Sequence, residues 1–102
     1  MDRIDTTRLD GFFDVVGGTD RSQAATMVLA PGQSTGGPEN AHAASDQWLY
    51  VVSGDGTATV EGDTVDLAAG TLLLVEPGET HAITNTGTVP LETVNVYAPP
   101  EY

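Results

Sequence analysis

The chain has no cysteine and no lysine, and among its 102 residues only Arg3, Arg8 and Arg21 carry a permanent positive charge. Without cysteine there are no disulfides, no zinc ribbon and no thiol catalysis. Helix-type periodicity is nearly absent. No apolar run approaches the length that spans a bilayer. The opening Met1-Asp2-Arg3-Ile4-Asp5 lacks the apolar stretch of a signal peptide, so a cytoplasmic location is expected. Fifteen acidic residues give a formal net charge of −12. That field repels nucleic acid and anionic membranes, and neither is expected as a partner. The carboxylates are spread along the chain rather than gathered in a tail. With lysine missing, this composition reads as that of a salt-adapted, halophilic protein. At 1 M salt the Debye length is about 3 Å, which screens self-repulsion while hydrated carboxylates keep the surface soluble.

What is present points to an all-β domain. Glycine, threonine and valine are plentiful, and short apolar runs alternate with turn residues every eight to twelve positions. The length suits one core and one domain. Residues 1–24 read as an N-terminal segment with a short outer strand at Phe12–Val16, residues 25–98 as the barrel, and 99–102 as a tail. Arg21–Ala30 reads as a strand, Gln33–Pro38 as a glycine-rich loop, and Gln47–Val52 as the strongest strand. That strand alternates Gln47, Leu49, Val51 with Trp48, Tyr50, Val52. Both faces are apolar, so both are expected to be covered, one of them by a second layer or another subunit. With the aromatic pair Phe12-Phe13, this predicts a homodimer. Thr57–Glu61 is expected to pair back after a turn at Gly54, and Leu72–Val75 to be a buried strand. Thr80–Thr84 is a strand with His81 and Ile83 on one face, and Leu91–Ala98 is the last strand.

The chain has two histidines, His42 and His81, each beside one of the strong strands. Asn40 and His42 are two apart, so on a strand they share a face; Gln47 follows on the next strand. These four side chains can converge at one end of a barrel. Imidazole nitrogens are good ligands for zinc, nickel or iron, and amide oxygens are weaker, harder ones. A ligand cavity lined by Leu49, Val51, Ile83 and Asn95 is expected beside them.

These residues carry a resemblance. Ser34-x5-Asn40-x-His42-x4-Gln47-x6-Gly54 and Gly70-x5-Glu76-Pro77-Gly78-x2-His81-x3-Asn85 match in spacing the two motifs of the cupins. The resemblance covers about residues 25–98 and implies a double-stranded β-helix, or jelly-roll, barrel. It implies a divalent metal (Zn, Fe, Ni or Mn) held by Asn40, His42, Gln47 and His81. It also implies binding of, or action on, a small oxygenated molecule. The departures are specific. Asn40 stands where the family has a histidine, Gln47 where it has a glutamate, Ser34 where it has a glycine, and Glu76 where it has a proline. Losing the carboxylate removes charge compensation for a divalent ion, and weaker binding follows. Glu39 or Asp46 can restore it only if a bulge turns one inward. An iron-dependent dioxygenase-like cupin needs that carboxylate. A metal-free ligand-binding or sensing cupin does not, nor does an isomerase with His42 or His81 as base. Sugar epimerases of this superfamily use a lysine, which this chain lacks. Asn85 reads as a turn residue, Trp48 and Tyr50 as packing or subunit contacts, and Glu76 and Glu79 as solvated carboxylates at the mouth.

Overall fold

In the computed structural model, which describes residues 1–7, 9, 11–37 and 41–102, the hydrophobic alternation closes into two antiparallel sheets. The strands are β1 (Phe13–Gly18), β2 (Gln23–Leu29), β3 (Ser34–Gly37), β4 (Asp46–Ser53), β5 (Asp55–Val60), β6 (Asp63–Ala68), β7 (Leu72–Val75), β8 (His81–Thr84) and β9 (Leu91–Ala98). One sheet has the order β1-β2-β9-β4-β7 and the other β3-β8-β5-β6. The chain changes sheet repeatedly, between β2 and β3, β3 and β4, β4 and β5, β6 and β7, β7 and β8, and β8 and β9, which is the jelly-roll path. Among the described residues no helix is long and apolar enough to cross a membrane.

The core lies between the sheets. On β4, Leu49 and Val51 point inward and are fully buried, and they meet Met27 and Leu29 of β2, Ile83 of β8 and Leu91 of β9. Leu91, Thr93, Asn95 and Tyr97 are the inward residues of β9, all buried. At about 25 cal/mol per Å² of apolar area removed from water, this interdigitated layer is the main force holding the two sheets together.

Three expectations are corrected. First, Ser34–Gly37 is a strand rather than a loop, because β8 supplies a partner for each of its residues from Ser34↔Thr84 to Gly37↔His81. Pairing across the barrel overrides the low strand propensity of glycine. Second, β5 does not pair back on β4. The backbone at Gly54 crosses to the opposite sheet, where β5 pairs with β6 and β8. Third, β7 is not buried. It is the edge strand beside β4, with Leu72 58% exposed and Val75 turned into the core. In the single chain the outward face of β4 is exposed, with Trp48 at 42% and Tyr50 at 45%.

Candidate functional site

Strand register sets one wall of the site. Gln47, at the start of β4, stands opposite Tyr97 on β9, and Leu49 stands opposite Asn95. His81 opens β8, opposite Gly37 on one side and Val60 on the other. His42 is not on a strand, contrary to the expectation that it shares a strand face with Asn40. It lies in the 41–45 connection. That connection is pinned by the Gly78 amide, which donates to the His42 carbonyl at 2.7 Å. The Pro77-Gly78 turn of the second motif therefore holds the histidine of the first. The two imidazoles end with ring centroids 4.9 Å apart, and both side chains are buried.

Together they border a cavity of about 260 Å³. Its polar lining includes His42, Gln47, His81 and Asn95, and its apolar lining includes Phe13, Met27 and Ile83. Three of the four expected ligand residues are thus brought together. Asn40 and the alternative carboxylate Glu39 lie outside the described residues. Asp46 alternates with Gln47 and is not on the cavity lining. Leu49 and Val51, expected as lining, belong to the core instead. Asn85 is a buried structural residue: its Nδ2 donates to the carbonyls of Leu29 and Val89, both at 2.8 Å. Its Oδ1 accepts from the Gly87 amide at 2.9 Å.

The hydrogen bonding of His42 is informative. Its Nδ1 lies 3.0 Å from Glu101 Oε1. The other Glu101 oxygen accepts from the Ser45 hydroxyl at 3.1 Å. On its far edge, His42 Nε2 lies 3.0 Å from Gln47 Oε1. With the proton on Nδ1, Nε2 and the amide oxygen are both acceptors. At that distance they repel unless a proton or a cation serves both, or the amide turns its NH₂ to the ring. Two ligands side by side on one octahedral ion, each about 2.1 Å from it, stand roughly 3.0 Å apart. The pair therefore fits a shared cation.

His81 Nδ1 lies 3.3 Å from the Glu79 carbonyl. Burial pushes the His81 imidazole below its usual range, helped by the neighbouring His42. The hydrogen bond to Glu79 and the Glu79 charge oppose the shift. A neutral imidazole near pH 7 is the form that ligates a metal. Among the described residues no three His, Asp or Glu side chains are grouped so as to hold a metal ion. The donor set is two imidazoles and an amide, with the carboxylate on the outer edge of His42. These residues fit a divalent cation held weakly, with open positions.

Three participants lie beyond the motifs: Tyr97, Glu101 and Tyr102. Tyr97 shares the inward parity of Asn95 on β9, so alternation could have found it. Glu101 and Tyr102 follow the cis Ala98–Pro99 peptide, and nothing in the local pattern marks them. Gln23 fixes this segment: its Oε1 accepts from the amides of Glu101 at 3.2 Å and Tyr102 at 2.8 Å, and its Nε2 donates to the Tyr102 carbonyl at 2.7 Å. Tyr102 then packs on Phe13 and Tyr97, at centroid distances of 4.9 and 5.1 Å. Burial raises the phenol pKa of both Tyr97 and Tyr102, so both stay protonated near neutrality.

Comparison with known proteins agrees with this fold. The Cupin_2 model, described as a cupin domain, matches residues 25–97. The chain is 38% identical over 73 residues to the tetracenomycin polyketide synthase protein TcmJ of Streptomyces glaucescens, covering 72% of this chain and 48% of that one. It is 35% identical over 68 residues to an oxalate-binding protein of Thermotoga maritima, covering 67% and 54%. It spans about half the length of these curated relatives. A crystal structure from Bacillus halodurans superposes with a TM-score of 0.89 at 26% identity, over 95% of this chain and 76% of that one. The matched span takes in His42, Gln47, His81 and the strands that position them, and on that ground the chain belongs to the cupin family.

Proposed function

We propose that this protein binds a divalent cation through His42, Gln47 and His81, with Asn40 as the fourth ligand of the sequence pattern, and takes a small oxygenated anion beside it. The observation that carries the reading is the convergence of His42, Gln47 and His81 on one cavity, with His42 Nε2 3.0 Å from Gln47 Oε1, a spacing that a shared cation fits when the imidazole proton is on Nδ1. The cation, when bound, supplies Lewis-acid polarisation of a ligand carbonyl or carboxylate oxygen. The chain's own residues do the rest. Glu101 orients His42, and Met27, Ile83 and Phe13 exclude water. Asn95 Nδ2 is buried without a hydrogen-bond partner, which leaves the lining short of an acceptor oxygen. The cavity suits a molecule of a few heavy atoms, and the likeness to an oxalate-binding protein supports a small dicarboxylate.

Metal analysis of protein purified in molar salt, without chelator or nickel resin, tests this. Near-stoichiometric metal is expected in the wild type and at least a tenfold loss in the His42→Ala, His81→Ala double variant. A wild type that stays empty after reloading with iron, zinc, manganese and nickel would sink the reading. A second reading would then hold, favoured by the same contact in its hydrogen-bonded form: a metal-free cavity that binds or senses a small anion. The iron-oxygenase reading needs a carboxylate on the cavity lining, and Asp46 does not supply one.

We also propose that a second copy covers the outward face of β4. Trp48 stands between Leu74 and Val96, and Tyr50 between Leu72 and Val94, giving two apolar rows on an otherwise acidic molecule. Contiguous apolar surface of this kind marks an interface. Sedimentation in molar salt should give a dimer for the wild type and a monomer for a Trp48→Glu, Tyr50→Glu variant. A monomeric wild type would contradict the proposal.

A further inference from the structure

The first motif has an amide, Gln47, where a charge-compensating carboxylate is expected, and among the described residues the lining supplies none. A carboxylate reaches the site from elsewhere in the chain. Glu101 meets His42 from the side opposite Gln47, at 3.0 Å from Nδ1, with the two side chains 26% and 6% exposed respectively. Each part of Glu101 is held separately. One oxygen is on the ring, and the other accepts from Ser45. The single Ser45 hydroxyl proton is shared between that oxygen and the nearer Pro99 carbonyl, at 2.6 Å, which ties the 41–45 connection to the tail. The Glu101 amide donates to Gln23 on β2. A surface carboxylate meeting a histidine by chance is not expected to be anchored at both ends in this way.

An ionised carboxylate only accepts hydrogen bonds. Facing Nδ1, it stabilises the tautomer with the proton on Nδ1 and leaves the Nε2 lone pair for the cavity. A carboxylate behind a ligating imidazole also raises its basicity, and such outer partners are commonly worth about 10- to 100-fold in metal affinity. We propose that Glu101 is a positioning residue: it fixes the His42 tautomer and supplies, from behind the ring, the negative charge that Gln47 no longer provides. The tail residues 99–102 are then part of the site rather than an appendage of the barrel.

This rests on the reading of His42 as a site residue, and the test separates the two. The chain has two histidines, so ¹⁵N spectra of the cation-free protein at alkaline pH contain two imidazoles, assigned with His81→Gln. The wild type should show His42 as the Nδ1–H form. Glu101→Ala should give a mixture of tautomers and about a 10- to 100-fold weaker affinity for zinc or manganese. Glu101→Gln keeps an acceptor oxygen but no charge, so the tautomer should be retained while affinity still falls. Gln23→Ala, which touches no part of the ring, should reproduce part of the Glu101→Ala effect by releasing the tail. A His42 tautomer population that is the same in wild type and Glu101→Ala would overturn the proposal, whatever the metal result. A tautomer shift in a wild type that binds no metal would uphold the positioning role and remove only the cation reading.

Discussion

Gly54→Ala is expected to destabilise the protein by about 3–4 kcal/mol, among the largest effects of any single methyl group in the chain. Gly54 sits where the chain leaves β4 in one sheet and enters β5 in the other, with φ at +91°. A Cβ there would collide with the Pro90 carbonyl oxygen and stand 2.8 Å from Leu91 Cα. Both are backbone atoms at the start of β9, the strand that pairs with β4 and carries Tyr97, so neither can swing away as a side-chain tip would. Gly62 provides the control. Its φ is +83°, in the turn between β5 and β6, but a Cβ there would meet nothing within 4 Å. Gly62→Ala should therefore cost only the backbone preference, about 1–2 kcal/mol. Urea unfolding of both variants in the same molar salt measures the difference. Equal midpoints would show that the crossing at Gly54 is looser than the approach to Pro90 implies.

Asn85→Ala should cost about 3 kcal/mol. The side chain is 1% exposed and makes three hydrogen bonds, to the carbonyls of Leu29 and Val89 and from the amide of Gly87. Each contributes about 1 kcal/mol net, and removing the amide leaves the buried groups that it met without partners, which adds to the cost. Asn85→Asp is the sharper test. It keeps an acceptor for Gly87 but turns an oxygen toward two carbonyl oxygens, so it should destabilise at least as much as Asn85→Ala. Burial beside those carbonyls disfavours the charged form of the new carboxyl and so raises its pKa. Its penalty is then present at neutral pH and relieved as pH falls through that raised value. A variant as stable as wild type at pH 7 would contradict a structural role. Metal content should follow the folded fraction in both variants, since Asn85 does not border the cavity.

The motif residue Asn85 thus reads differently in sequence and in space. Its place at the end of the second motif marked a turn, and the turn is there. That its amide ties β2 to the connection between β8 and β9 depends on two carbonyls, one of them 56 positions away. The same division runs through the site. The spacings around His42, Gln47 and His81 pointed to convergence, and in the structure the two imidazoles and the amide border one cavity. Glu101 carries no such mark. A glutamate between two residues of a short tail looks solvated until Gln23, Ser45 and Pro99 are seen to hold it.

By itself the sequence determined the all-β class, the inward parity of β4, β8 and β9, the shortage of metal-ligating carboxylates at the motif positions, and an acidic surface. These follow from local chemistry: alternation fixes which side chains share a face, and side-chain type fixes which atoms can ligate. The tertiary structure decided which sheet each strand joins and that Ser34–Gly37 is a strand. It also decided that Leu72–Val75 lies at an edge and that the carboxylate near His42 comes from Glu101. Each of these depends on a partner distant in the chain, such as β8 for β3 or Gln23 for the tail. Local propensity is too weak, at about 1 kcal/mol per residue or less, to choose among such partners before the core between the sheets has formed.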